Sequence, residues 1–302
     1  MSLPGRPKRE SLSAQREDRP VGAPDRAKRE SPSAQRDGSP INESTGELLL
    51  LPTLLGDSVP ERVLPAETIA RARATTMFLA ENAKSARAFL KAVAHPQPLA
   101  SLTVIEIGHD PDPRRFDEWL APATEGRDIA LLAEAGCPAV ADPGAGLVAR
   151  AHQLGLRVRP LVGPSSLLLA LMAAGMNGQR FRFVGYLPQD RQELVATIGA
   201  LERASGGEET QLFIETPYRN ERLLQALLDH ARPDTQLAVA VDLATDDERV
   251  LSLPVSGWRA LPAEKRPALA RRPAVFALLA GAGVQRRPDS ATGGRASRSG
   301  RQ

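Results

Sequence analysis

The chain has a single cysteine, Cys137, among 302 residues, and one thiol cannot close an intrachain disulfide. Nothing else in the sequence points to an oxidising compartment, so the cytoplasm is the expected location. The four histidines, His95, His109, His152 and His230, are scattered and form no ligand spacing, which argues against a metal centre. No uninterrupted apolar run reaches the ~18 residues of a membrane-spanning helix. The opening MSLPGRPKRE carries charge but no apolar stretch of the secretory kind. Aromatic residues are scarce, 4% of the chain against 42% apolar residues, so any core must be built mainly from aliphatic side chains. Also missing are GxxxxGK[ST], a GxGxxG after the first strand-like run, and GxSxG. Their absence argues against P-loop nucleotide hydrolases, ordinary dinucleotide sites and the serine elbow of α/β-hydrolases.

The net charge of +3 does not belong to the part expected to fold. Residues 1–44 hold nine Lys/Arg against seven Asp/Glu and 282–302 hold five against one, which leaves 25 against 28 in 45–281. A nucleic-acid contact on the folded part would therefore have to be a local patch. The first segment contains RPKRESLSAQRED (6–18) and RAKRESPSAQRDG (26–38), a duplication too polar to bury a core. Both 1–44 and 282–302 are expected to be disordered tails.

Between them, short apolar runs alternate with segments of helical spacing. ELLLLPT (47–53), TMFLAE (76–81), LTVIEIG (102–108), DIALLA (128–133) and LRVRPLV (156–162) read as strands. Helical patterns separate them at 65–75, 85–94, 114–126 and 145–155. A further helix at 163–175 starts behind Pro164 and stops on Gly175. The second half reads as strands at 181–188, 210–217, 236–244 and 273–281, with ERVLSLPV (248–255) as a hairpin partner and helices at 189–204 and 220–231. The expected fold class is α/β, with a mostly parallel first sheet and a mixed second one. Two domains, 45–162 and 163–281, are expected to meet at VGPSS, with a cleft between them.

Ligands of open α/β sheets sit outside the carboxyl ends of the strands. Three such loops, PTLLGD (52–57), EAGCPAVADPG (134–144) and VGPSS (162–166), are poor in charge and rich in Gly, Pro and small residues. They can bring peptide N–H and C=O groups close to a ligand, which suits a zwitterion or a nucleoside better than a bare triphosphate.

In this order and spacing EAGCPAVADPG, PLVGPSS, FVGYLP and FIETPYRN resemble the tetrapyrrole methylase superfamily of S-adenosylmethionine-dependent methyltransferases. Within it they are similar to the branch containing ribosomal RNA small subunit methyltransferase I. The likeness runs from about 47 to 281. It implies two α/β domains with S-adenosylmethionine in the interdomain cleft, and a homodimer. Matched position by position, Leu55, Gly56 and Asp57 stand where the family's first turn meets the cofactor. Ala135, Gly136, Cys137 and Pro138, behind Glu134, match its second loop. Ser165 and Ser166 are expected near the methionine moiety and Glu215 near adenine or the acceptor. Ala244, in VDLAT (241–245), joins the cofactor group. Tyr218 and Arg219 are the acceptor-side candidates, because a ring and a planar cation can stack on or clamp a base or phosphate. Three stretches depart from the ribosomal branch: ENAK (81–84), IGHD (107–110) and VDLAT, which lack several of its charged residues. The cofactor loops are kept while the acceptor side is changed.

Methyl transfer from a sulfonium asks for in-line positioning and removal of the acceptor's proton. Glu81 and Asp142 are the candidate catalytic carboxylates, though each could instead anchor its own loop. Cys137 reads as a small neutral residue, His109 as an exposed turn residue, and Arg71 with Arg73 as a solvated helix face. The expected acceptor is the ribose 2′-hydroxyl of ribosomal RNA. A tetrapyrrole or other small-molecule acceptor, and a non-catalytic S-adenosylmethionine-binding protein whose tails recruit a partner, are the alternatives.

Overall fold

The computed structural model describes residues 45–281. The two terminal stretches, with the disorder expected of them, lie outside the described residues. Five apolar runs become the strands β1 (Glu47–Leu51), β2 (Met77–Ala80), β3 (Thr103–Glu106), β4 (Ile129–Leu132) and β5 (Arg157–Pro160). Their order is β3-β2-β4-β1-β5 and every pairing is parallel. Between them run α1 (Pro60–Val63), α2 (Ala66–Ala74), α3 (Ala83–Ala92), α4 (Phe116–Thr124) and α5 (Ala145–Gln153).

Central strands covered on both faces need apolar residues at successive positions, which is why ELLLL and IALL do not alternate with polar residues. Leu49, Leu51, Ala130 and Leu132 pack on one face against α2 and α3. Leu48, Ile129 and Leu131 pack on the other face against Trp119, Leu120, Leu147 and Ala151 of α4 and α5. Because the strands are parallel, the loops that follow them gather at one edge of the sheet.

The second sheet is mixed, as expected. It is built from β6 (Phe181–Tyr186), β7 (Thr210–Ile214), β8 (Gln236–Val241), β9 (Arg249–Pro254) and β10 (Ala274–Leu279), in the order β6-β7-β10-β8-β9. Only β6 and β7 pair in parallel; β8 and β9 form the anticipated hairpin. One face is covered by α6 (Ser166–Ala174), whose Leu171 and Ala174 rest on Leu212, Ala238 and Ala277. The other is covered by α7 (Arg191–Ser205), α8 (Asn220–His230) and α9 (Val255–Ala260), around Ile198, Leu227, Trp258 and Phe276. Asp190 caps α7 by accepting from the N–H groups of Gln192 and Glu193, and Gly206 ends it in the left-handed region. The short α1 and α9 were not anticipated, since four to six residues carry too little periodicity to be read.

One expectation is overturned here. Arg71 is not part of a solvated helix face: it donates to Glu47 at 2.6 Å and to Asp128 at 3.3 Å, with only 28% of its side chain exposed. Arg157 and Arg159 close on the same Glu47 from β5. Arg73 is likewise engaged, its Nε donating to the Val93 carbonyl at 2.6 Å. This network ties α2 to the start of β1, the sheet edge opposite the loops described below.

Leu131 is fully buried in β4, between β1 and β2. Leu131→Ala is expected to destabilise the chain by about 2–5 kcal/mol through lost burial and the cavity left behind. Chemical denaturation should show a lower midpoint with an unchanged slope.

Candidate active site

The loops after β1, β4 and β5 converge on Gly136. The Thr53 N–H donates to the Gly136 carbonyl at 2.9 Å, and the Cys137 thiol reaches the Pro164 carbonyl at 3.5 Å. Gly136 has φ +77°, and a Cβ there would stand 3.0 Å from Leu55 and 3.3 Å from the Pro164 carbonyl oxygen. The loop after β4 turns through left-handed backbone at Gly136, Ala139 and Ala141, and again through positive φ at Gly144. Each alanine held this way costs about 1 kcal/mol or more, so the path is imposed by its surroundings. Gly56 marks the approach of the two sheets' loops, for a Cβ on it would lie 2.7 Å from Thr245.

Beside this junction lies a cavity of about 390 Å³, within the range of small-molecule sites. Leu55, Glu134, Ala135 and Asp142 line it from the first sheet's loops. Ser166, Tyr186, Ile214, Glu215, Leu243 and Val275 line it from the second half. A narrower extension of about 160 Å³ shares Ala135, Asp142, Ser166, Tyr186 and Ile214 and adds Gly136, Cys137 and Ser165. The ionisable carboxyls of the cavity wall are Glu134, Asp142 and Glu215, and among the described residues no Lys or Arg lines it. Glu215 is buried and already engaged by the Arg219 guanidinium and the Thr216 N–H.

Asp142 is the most perturbed group. Burial first, then the neighbouring Glu81 carboxylate, a hydrogen bond with it, and Glu134 push the Asp142 carboxyl up to about 7. Glu81 follows the end of β2, and His109 lies two residues beyond the Ile107 that extends β3, so strand pairing brings the two together. The His109 Nδ1 stands 2.9 Å from Glu81 Oε1, and that bond lifts the imidazole above its ordinary value. Glu81 is 13% exposed and His109 90% exposed. Burial, followed by the charge of Asp142, raises the Cys137 thiol, which keeps it neutral.

The expected cofactor residues Leu55, Ala135, Ser166 and Glu215 line the main cavity, and Gly136, Cys137 and Ser165 its extension. Gly56 lies in a neighbouring hollow with Asp57, Thr245 and Arg272. Pro138 is buried behind the loop. Ala244 turns its N–H to Glu248, and its neighbour Leu243 faces the cavity instead. Tyr218 is 82% exposed, while Pro217 beside it lines the wall. Tyr186 was missed. A register break between Phe183 and Tyr186 sets it against the cavity, where burial followed by Asp142 raises its phenol. The motif FVGYLP marked the segment without marking the residue.

Residues 57–257 match the family model for tetrapyrrole (corrin/porphyrin) methylases. The chain belongs to this family. Among its relatives, a Micromonospora olivasterospora protein named ribosomal RNA small subunit methyltransferase I is 37% identical over 137 residues, 45% of this chain and 42% of that one. A Bacillus subtilis protein of the same name is 29% identical over 216 residues, 70% of each chain. The match thus spans less than half of the Micromonospora protein's length. The crystal structure of the methyltransferase CobJ shares the fold, with a TM-score of 0.51 and 20% identity over 81% of this chain and 98% of that one.

Asp142 should bind its proton more tightly in the folded chain than in the unfolded one. Its contribution to stability is therefore greatest below the ordinary carboxyl range and is lost as the pH rises toward about 7. Asp142→Asn should flatten that part of the stability–pH curve, measured by denaturation at a series of pH values. A variant curve parallel to the parent's would contradict the assignment.

Proposed function

We propose that the chain is an S-adenosylmethionine-dependent methyltransferase whose acceptor is the ribose 2′-hydroxyl of ribosomal RNA. The observation that carries the cofactor is the cavity wall, which combines apolar side chains such as Leu55, Ile214, Leu243 and Val275 with three carboxyls and, among the described residues, no Lys or Arg. Such a wall attracts a cation and repels a polyphosphate. The close approach at Gly136 is a cradle that a side chain would fill. Leu55, Ala135, Gly136, Cys137, Ser165 and Ser166 would hold the cofactor. When bound, S-adenosylmethionine supplies a methyl group already activated on a positive sulfur.

The chain's own work is then alignment and proton removal. Asp142 and Glu81 form the proton-accepting pair, poised by a carboxyl near 7 for use at neutral pH. Arg219, fixed by Glu215, presents its guanidinium toward an acceptor phosphate or base, and the exposed Tyr218 ring offers a stacking face. The names of the relatives support RNA as the acceptor class. We read 45–162 and 163–281 as two domains, each with a sheet and a core of its own. Exposed Leu168 and Met172, one turn apart on α6, support a homodimer, and the cytoplasm is its proposed location. A second reading, a tetrapyrrole or similar small acceptor, is favoured by the acidic balance of 45–281.

Transfer of a tritiated methyl group into small ribosomal subunits from a strain lacking the enzyme tests the proposal. The expected product is label at one ribose, and Arg219→Ala should lower kcat/KM by about 10–100-fold, the loss of one charge-assisted contact. Label confined to a small-molecule fraction would select the second reading. No binding of S-adenosylmethionine at millimolar concentration would refute both.

A further inference from the structure

Glu81 and Asp142 form an unequal pair. Asp142 lines the cavity, whereas Glu81 lies behind it and does not. Glu81 Oε1 is occupied by His109 at 2.9 Å. Glu81 Oε2 is buried, and among the described residues no N–H or hydroxyl reaches it. A buried carboxylate oxygen without a donor is costly, and the donor available to it is a protonated Asp142 carboxyl. The groups facing Asp142 are Glu81, Glu134 and His109, with Cys137 and Tyr186 beside it; those facing His109 are Glu81, Asp110 and Asp142.

Resting on the proposed methyl transfer, the geometry points to His109 as the positioning residue of this pair: its imidazolium holds the negative charge on Glu81, so that Asp142 is the carboxyl that receives the acceptor's proton. As the acceptor oxygen bonds to the methyl carbon, the electron pair of the broken carbon–sulfur bond stays on sulfur. The hydroxyl proton passes to Asp142, which donates it into a hydrogen bond on Glu81 Oε2. His109, in contact with solvent and opposing the upward push on Asp142, sets the pH at which this carboxyl is free to accept.

The test uses His109→Gln, His109→Lys and Asp142→Asn in the full chain. In the free protein, carbon-13 NMR titration should place the Asp142 midpoint higher in His109→Gln than in the parent, by about half a pH unit or more. The acid limb of the kcat/KM profile for methyl transfer to small ribosomal subunits should move the same way, and His109→Lys should restore both. Unmoved midpoints in His109→Gln overturn the inference, as does full activity in Asp142→Asn. If no transfer to RNA occurs in the parent, the proposed function fails separately, and the NMR shift alone decides whether His109 governs the pair.

Discussion

The site depends on one backbone contact, the hydrogen bond from the Thr53 N–H to the Gly136 carbonyl. Parallel pairing of β1 with β4 brings the two loops to the same edge but does not fix their paths. Fixing them takes the left-handed turn at Gly136, the packing of Leu55 over it, and the approach of the Pro164 carbonyl from the third loop. None of these contacts uses an ionised side chain. A wall formed in this way leaves local charge to be set by a few carboxyls.

Those carboxyls then act in an uncrowded field. Among the described residues no Lys or Arg in the cavity wall neutralises Asp142 or Glu134, and partial burial makes the Asp142 charge more expensive still. The result is one carboxyl pushed up to about 7, beside a Glu81 that His109 meets at 2.9 Å. Glu215 is treated differently, since Arg219 compensates it directly. The two acids at one cavity thus differ in their surroundings: buried Glu215 has a guanidinium four residues along the chain, whereas half-buried Asp142 faces Glu81 and Glu134.

The strands were legible because burial on both faces requires unbroken apolar runs, and β1, β4 and β10 are such runs. The stop at Gly175 was legible because that residue takes the left-handed conformation closing α6. The loops were legible by composition, since close backbone approach selects Gly, Pro and Ala. What composition could not show was pairing at a distance. Arg71 meets partners 24 and 57 residues away, and Glu81 meets His109 across 28 residues only because β2 and β3 are neighbours. Tyr186 escaped notice because a register break, invisible in the sequence, turns it toward the cavity.

The same distinction separates the cofactor side from the acceptor side. Most residues proposed for the cofactor lie in three loops rich in Gly, Pro and small residues, so their pattern survives in the letters of the sequence. The residues proposed for the acceptor side, Tyr218 and Arg219, are single side chains just before α8. Neither belongs to a core, so on this proposal a change in either alters recognition without disturbing the fold. The departures at 81–84 and 107–110 follow the ends of β2 and β3, and that at 241–245 begins on Val241, the last residue of β8, so each lies at a strand end. On the proposed function, acceptor choice is therefore set by side chains that the scaffold supports but does not specify.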